Sequence, residues 1–351
     1  MKIYRNVFSP ITLFFSLSNY FVLLVALTTG FKKNIFNKNF FFFLVFFSFF
    51  ILKIFIDWST DLFLDLSWLA EAKILITFFL FSITLNKIKF WNLLFKSSKD
   101  VIDSFIIFSS IFLIGALITG HGIFRFVDRF PIDLSFISIY YGICVYILIP
   151  ISNGWRFIIL VILLLLSGSG SAIGGGLIVV VYKILNLDIS KIKKTLIVSF
   201  SIFFLLGTFI FGQVLRERDL SNLETIDRYI LSVAGIEYIS KNFTYKEHLI
   251  GMPYGSEVNA GKYMSNAVRD YLYAENNKKI FPRNFHSDYL RIYIQYGIFG
   301  SVLFVFALFY FLRKRKILIY ALMISALANS VFYITPIIFL LSITRNINYE
   351  N

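Results

Sequence analysis

The sequence predicts an all-α polytopic membrane protein with about 10–12 transmembrane helices and one large polar loop. The 351-residue chain is 58% hydrophobic and 19% aromatic, with only 15% charged residues. Apolar runs close to the ~20 residues that cross a bilayer as a helix recur along its length. Backbone groups in lipid must be bonded within their own segment, so we interpret these runs as helices. Residues 213–287, called the polar loop below, form the longest polar stretch.

The apolar runs define the predicted spans and a division of the chain into three parts. Residues 1–212 are assigned to N-terminal transmembrane helices, 213–287 to the polar loop and 288–351 to C-terminal transmembrane helices. The run from residue 3 to 30 fits either one span or two short helices, so the total stays open. The predicted spans are 10–30, 39–56, 68–85, 101–119, 133–150, 156–168, 171–187, 195–212, 288–312, 317–333 and 334–346.

The distribution of charge predicts the orientation of the chain. The net charge is +14, and the polar loop, with ten basic and nine acidic residues, contributes only +1 of it. Basic residues concentrate in four connectors, near residues 32–38, 87–99, 183–194 and 313–316. Placing all four in the cytoplasm follows the positive-inside rule and puts residues 120–132 and the polar loop outside. Nucleic-acid binding is not expected, because it needs one continuous basic surface.

One pattern at the end of the polar loop favours proton-transfer chemistry. His286, Leu290, Tyr293, Gly297 and Gly300 are separated by steps of 4, 3, 4 and 3, which predicts that they share one helical face. This would place an imidazole at the outer mouth of a span, and a histidine titrates near neutral pH. The two glycines would let a neighbouring helix approach closely. A helix-packing stripe with an interfacial histidine is the alternative interpretation.

Arginines on the predicted outer face form a second pattern. Arg216, Arg218 and Arg228 lie in the first part of the polar loop, and Arg125 and Arg129 lie four residues apart in the connector 120–132. Guanidinium groups bind phosphate oxygens in pairs, and outer arginines are not explained as orientation signals. Ion pairs with neighbouring acidic residues, or contacts with lipid headgroups, are the alternatives.

Three further segments carry local signals. Residues 228–239 have amphipathic helical spacing, and residues 248–256 are rich in turn-forming residues. The Ser/Gly-rich segment 167–176 lacks the Gly-Lys-Ser/Thr ending of a phosphate-binding loop. We therefore expect a tight turn or close helix packing there. The single cysteine, Cys144, provides neither a disulfide framework nor a metal cluster.

The order of these segments resembles the bacterial O-antigen polymerase/ligase superfamily of membrane glycosyltransferases. The resemblance covers roughly residues 155–300: a Ser/Gly turn, a basic connector, an outer loop that opens with arginines, the Leu-Ile-Gly turn 249–255 and His286…Gly297-x-x-Gly300. Three features depart from the family pattern. A Ser-Arg-Gly motif reads Ser169-Gly170-Ser171 here, and a His-Asn pair reads His286-Ser287. A common acidic residue before the first glycine is Gln295.

The resemblance implies a GT-C-like fold and glycan transfer from undecaprenyl pyrophosphate at the outer face of the bacterial inner membrane, with the polar loop in the periplasm. His286 and Arg228 would be the catalytic residues. His286 would accept the proton of the attacking sugar hydroxyl or hydrogen-bond the acceptor, and Arg228 would stabilise the leaving pyrophosphate. The implied substrate-binding residues are Arg216, Arg125, Arg129, Arg283 and Tyr254, the tyrosine stacking against a sugar. We expect no metal ion or other cofactor.

The implied partners are undecaprenyl-pyrophosphate-linked glycans, the lipid bilayer, and a chain-length regulator and flippase of the same pathway. Within the superfamily we favour a repeat-unit polymerase, and a ligase that transfers the finished glycan to lipid A-core or protein is the alternative. A transporter remains a third class. It would need polar residues along a central path, and the intramembrane candidates are few: Lys53, Glu71, Lys73 and Asp103.

Overall fold

The computed structural model describes residues 98–119, 138–214, 227–264, 285–313 and 315–328. It also describes isolated positions between 48 and 57 and at 280, 282, 337 and 341. These described residues are mostly helical and include no β-strand, which confirms the prediction of an all-α chain for this part of the molecule.

Nine α-helices make up most of the described chain. They are α1 (Ser98–Ile118), α2 (Ser138–Leu148), α3 (Trp155–Leu166), α4 (Gly170–Leu185), α5 (Lys191–Val214), α6 (Asp227–Asn242), α7 (Tyr245–Ile250), α8 (Asp288–Phe311) and α9 (Lys316–Ala328). Short 3-10 helices follow α2 at Ile149–Ile151 and α7 at Ala260–Tyr263. Helices α1, α3, α4 and α5 begin and end within about a turn of their predicted spans. Helix α2 is shorter than its predicted span, and α9 ends before its predicted span does.

Two helical segments of the described chain, Lys99–Ile118 and Asp288–Tyr310, are long and apolar enough to cross a membrane. Four further helical segments are apolar but shorter, at Tyr140–Ile151, Trp155–Leu166, Gly170–Leu185 and Lys316–Leu327. These features point to association with a membrane. The number of spans and their orientation stay predictions.

Helices α1 and α5 each expose a stripe of large apolar side chains. On α1 the stripe steps by four, three and four residues, and on α5 by four, four and three, so each stripe follows one helical face. An apolar stripe of this length is suited to lipid or to another apolar surface. The stripes comprise Ile107, Ile111, Ile114 and Ile118 on α1, and Ile192, Leu196, Phe200 and Phe203 on α5.

Helix α4 lies at the centre of the larger apolar core, where it packs against α2, α3, α5 and α9. Its glycines permit close contact: a Cβ added at Gly175 would lie 2.7 Å from the carbonyl oxygen of Ala321 on α9. The hydroxyl of Ser325 donates to the carbonyl oxygen of Ser171 at 3.0 Å and fixes the same pair of helices. Close helix packing in the Ser/Gly segment is therefore confirmed, and the turn before α4 passes through Gly168 with a φ of +59°.

Helix α8 is broken at Gly297, which has a φ of 59° and a ψ of −162°. The break divides α8 into a first arm, residues 288–296, and a second arm, residues 298–311. Asp288 and Tyr289 of the first arm line a small cavity together with Phe304 and Leu308 of the second. The two arms therefore converge on one cavity, and α8 is not the single straight helix that the apolar run 288–312 predicts.

The described part of the polar loop packs against the first arm of α8. A second apolar cluster joins α6, the segment after α7 and the start of α8. Leu231 and Ala234 come from α6, Met252 from the turn after α7, and Phe285 and Ile294 from the α8 region. The described part of the loop is thus joined to the membrane-type helices by a shared apolar core.

Candidate functional site

Two segments that carry the family resemblance contact each other. The turn after α7 lies against the break in α8, and the amide of Met252 donates to the carbonyl oxygen of Ile294 at 2.8 Å. In an unbroken helix this carbonyl would accept from the amide four residues later. The turn thus satisfies an acceptor that the break releases. We call this contact, between residues 249–255 and Gly297, the junction.

Glycine is required on both sides of the junction. Gly251 has a φ of +80° and Gly297 a φ of +59°, which side chains of L-amino acids rarely adopt. A Cβ added at Gly297 would lie 2.5 Å from the carbonyl carbon and oxygen of Leu249. One added at Gly251 would collide with the backbone of Gln295. The obstructing atoms are backbone atoms, so a side chain could not be accommodated by a change of rotamer.

A capping box holds the short helix α7 that leads into the junction. The hydroxyl oxygen of Thr244 accepts from the amide of Glu247 at 3.3 Å, and a Glu247 carboxylate oxygen accepts from the amide of Thr244 at 2.7 Å. Six residues are too few for a helix that is stable alone, so its cap and its packing on α8 both matter. The start of the turn is fixed by these contacts.

A buried ion pair holds the other end of the turn. Lys53 and Asp57 lie 3.1 Å apart and are 2% and 4% exposed. The ammonium of Lys53 donates to the carbonyl oxygen of Met252 at 2.8 Å, and a carboxylate oxygen of Asp57 accepts from the amide of Tyr254 at 3.1 Å. Buried charges are tolerated when they are paired and hydrogen-bonded. We call this pair and its two backbone bonds the latch.

Tyr254, a predicted substrate-binding residue, is buried at the junction. Its side chain is 2% exposed, and its ring meets that of Tyr296 edge to face at a centroid distance of 5.9 Å. The ammonium of Lys53 lies 5.2 Å from the centre of the Tyr254 ring. A sugar could stack on this ring only if the turn moved. The role of Tyr254 in sugar binding stays a prediction.

His286, the predicted proton acceptor, is exposed and lies two residues before the first helical residue of α8. Ser287 occupies the position before the helix, and Asp288 is the first helical residue. The prediction that one helical face carries His286, Tyr293, Gly297 and Gly300 is wrong. His286 lies outside the helix and Gly297 interrupts it, because a glycine can satisfy helical spacing and still adopt a backbone conformation that ends the helix.

Arg228 is the second residue of α6, and the amphipathic segment 228–239 is confirmed as part of that helix. A Cβ added at Gly235 would lie 2.7 Å from the ring of Phe285, so α6 lies directly against the segment that carries His286. The side chain of Arg228 is outside the described part of the structure. The other predicted arginines, Arg216, Arg125, Arg129 and Arg283, also lie outside the described residues.

The first arm of α8 carries a buried polar face that was not predicted from the sequence. Asp288, Arg291 and Gln295 are 0%, 7% and 2% exposed, and their spacing of three and four residues places them on one face. Polar side chains buried inside an apolar segment are costly and commonly have functional roles. The signal was present in the sequence, as three polar residues at helical spacing in the run 288–312.

A second histidine lies beside the junction. His248 on α7 and the hydroxyl of Tyr293 on α8 are hydrogen-bonded at 2.8 Å through the Nδ1 atom of the histidine. Phe243 completes an aromatic cluster, with its ring 5.4 Å from His248 and 6.3 Å from Tyr293. The imidazole of His248 is thereby held in place beside the junction.

The space between the two arms of α8 is too small for a sugar. The cavity that Asp288, Ser301 and Phe304 help to line has a volume of about 40 Å³, which suits a few water molecules at most. Among the described residues, no three His, Cys, Asp or Glu side chains group together as a metal site would require.

Two intramembrane candidates for a transport path have other partners. Lys53 belongs to the latch, and Asp103 forms a two-pronged ion pair with Arg156 at 2.6 and 2.7 Å. Each of these two residues is therefore engaged in a contact between segments. Glu71 and Lys73 lie outside the described residues.

Comparison with known proteins identifies no relative of this chain. No family model matches the chain, and no curated protein or solved structure matches it.

Proposed function

We propose that this protein is a membrane glycosyltransferase that polymerises undecaprenyl-pyrophosphate-linked oligosaccharide repeat units into O-antigen or capsular polysaccharide. The junction is the observation that carries the proposal. It brings together the Leu-Ile-Gly turn and the glycine of the His286…Gly297 pattern, on which the family resemblance depends. Backbone contact through two glycines at their point of meeting argues against a coincidental match of two short motifs.

The membrane placement belongs to the same proposal. The protein would lie in the bacterial inner membrane with several spans and with the polar loop in the periplasm. The two long apolar segments and the exposed apolar stripes of α1 and α5 support it. A helix broken at membrane depth is tolerated where protein covers the freed backbone groups, as the turn after α7 covers the break at Gly297.

In the proposed reaction, a hydroxyl of the acceptor sugar attacks the anomeric carbon of the lipid-linked donor. The new glycosidic bond forms as the bond from that carbon to the pyrophosphate oxygen breaks. His286 accepts the proton of the attacking hydroxyl, and its exposed position leaves it open to a substrate. Arg228, with Arg216, Arg125, Arg129 and Arg283, would stabilise the departing undecaprenyl pyrophosphate.

The direct test is elongation of lipid-linked repeat units by the purified protein in detergent, with product length resolved on a gel. We expect His286→Ala and Arg228→Ala each to reduce polymer yield about 100-fold or more, as the loss of acid–base or charge-stabilising groups does elsewhere. Lys241→Ala is the matched control, because Lys241 is an exposed cation at the other end of α6. This control should elongate normally.

Two results would contradict the proposal. One is a folded wild-type protein that leaves lipid-linked units unextended, and the other is normal polymer from both variants at equal expression. Deletion of the gene separates the polymerase from the ligase. Loss of a polymerase leaves single repeat units on the final acceptor, whereas loss of a ligase leaves none.

A further inference from the structure

A basic cavity lies at the far end of the second arm of α8, away from the junction. Its volume of about 500 Å³ falls within the roughly 300–1,000 Å³ typical of small-molecule sites. Of the described residues that line it, four are basic and none is acidic. The basic residues are Lys183 at the end of α4, Arg313 and Arg315 in the connector between α8 and α9, and Lys316 at the start of α9.

Hydrogen bonds fix one cation of the site and the backbone that carries two others. The ammonium of Lys183 donates to the carbonyl oxygen of Pro150 at 3.1 Å and to the side-chain oxygen of Asn153 at 3.0 Å. The connector that carries the two arginines is closed by a bond from the amide of Arg315 to the carbonyl oxygen of Leu312 at 2.6 Å. These contacts preorganise a positive site, so less ordering is required when an anion binds.

The other groups at the cavity suit a phosphate at a membrane surface. The first residues of α9, Lys316 and Ile317, line it, so the positive end of the helix dipole adds to the basic side chains. Tyr182 and Tyr320 line it while remaining about half exposed, as tyrosines at a membrane interface do.

The orientation rule alone does not account for the site. Positive-inside bias explains why two connectors carry Lys and Arg, but it does not require them to converge on one cavity. Lys183 is far in sequence from Arg313, Arg315 and Lys316, yet all four line the same space. Four cations that face one cavity repel each other, and an anion between them removes that repulsion.

We propose that this cavity binds a phosphate-bearing anion, held by Lys183, Arg313, Arg315 and Lys316. The anion is either the headgroup of an anionic phospholipid in the adjacent leaflet or a soluble phosphate compound. Basic pockets between helices at the cytoplasmic side of membrane proteins bind lipid phosphates by the same chemistry. The site is independent of the glycosyl transfer proposed above.

The test measures thermal unfolding of the full-length protein in a neutral detergent. Phosphatidylglycerol, phosphatidylcholine and inorganic phosphate are added separately, with chloride at matched ionic strength as the reference. A ligand that binds the folded state raises the unfolding midpoint. A rise with phosphatidylglycerol alone identifies a lipid headgroup as the occupant, and a rise with inorganic phosphate identifies a soluble anion.

The variant Arg313→Gln/Lys316→Gln should bind the ligand that raises the wild-type midpoint about 25-fold more weakly. Each basic residue near an anionic surface contributes roughly fivefold to such affinity. Asn186→Asp is the second variant, because it places a negative charge at the cavity without removing a cation. The matched control is Lys191→Gln/Lys193→Gln, which removes two exposed cations from the first turn of α5 that do not line the cavity. This control should respond as the wild type does.

Three outcomes would overturn the proposal. They are a midpoint that neither phosphatidylglycerol nor phosphate raises, a response that both cavity variants retain in full, and a response that the control loses to the same extent. The last of these would mean that diffuse positive charge, and not the cavity, attracts the anion. Retained wild-type midpoints in chloride would show that the variants are folded.

Discussion

The two ends of the second arm of α8 differ in how they are built. At the junction, backbone packs on backbone through Gly251 and Gly297, and the latch has its charges buried and paired. At the basic cavity, about 500 Å³ is open and cations face it without an acidic residue among the described lining. The first end is therefore built for a fixed geometry, and the second for a charged partner. Substitutions should affect folding at the first end and binding at the second.

The largest effect is expected from Gly297→Ala. The new Cβ would collide with the backbone of Leu249, and the residue would also be held at a φ of +59°. Backbone strain and overpacking together should destabilise the protein by about 4 kcal/mol or more. The thermal unfolding midpoint in detergent, with the yield of folded protein, measures the loss.

Gly154→Ala is the matched control for this substitution. Gly154 has the same φ of 59° and a similar ψ, but a Cβ added there meets nothing within 4 Å. It should cost about 1–2 kcal/mol, which reports backbone strain alone. Equal losses at both glycines would show that the junction is not the tight contact described.

Breaking the latch is expected to have the next largest effect. Asp57→Asn leaves the ammonium of Lys53 buried without its carboxylate, which should cost about 3 kcal/mol. The double variant Lys53→Met/Asp57→Leu should recover part of this loss, because no unpaired charge remains. Proteolysis of the turn 249–256 checks the prediction, since the turn should become more accessible in the single variant.

The double-mutant cycle at the latch separates two interpretations. A double variant that loses as much as the sum of its single variants would mean that the two residues act independently. The exposed pair Lys241 and Glu237, separated by 3.7 Å, serves as the reference. Removing that pair should change stability by less than about 1 kcal/mol.

The smallest effect is expected at the ion pair between Arg156 on α3 and Asp103 on α1. Arg156 binds both carboxylate oxygens of Asp103, but the side chains are 21% and 38% exposed, so solvent screens the attraction. Arg156→Lys loses the paired geometry and should cost about 1 kcal/mol. Because salt screens this ion pair, the unfolding midpoint of the wild type should be lower in high salt than in low salt. A loss as large as that of Asp57→Asn would show that burial does not set the strength of these two ion pairs.

Helix positions could be predicted from the sequence because apolar runs and their polar ends determine them directly. Helices α3, α4 and α5 fall close to their predicted spans, and the Ser/Gly segment packs closely as expected. The break in α8 could not be predicted this way. The spacing of His286, Tyr293 and Gly297 fits a continuous helix, and periodicity does not report the φ of a glycine.

The contacts that the site residues make also could not be predicted from the sequence. The bond from Lys53 to the carbonyl of Met252 joins residues 199 positions apart, and no local pattern indicates it. The position of Lys53 in an apolar run marks it as an intramembrane candidate, but nothing in the sequence pairs it with the turn. The convergence of Lys183 with Arg315 likewise depends on the packing of α4 against α9.

The latch has a consequence for how this protein can change over generations. Lys53 and Asp57 hold main-chain atoms of Met252 and Tyr254, and those atoms are present whatever the side chains are. Pro253 and Ser256 could thus be replaced while the turn keeps its anchor. A turn attached in this way can accumulate substitutions without shifting its position, so its chemistry can diverge faster than its architecture.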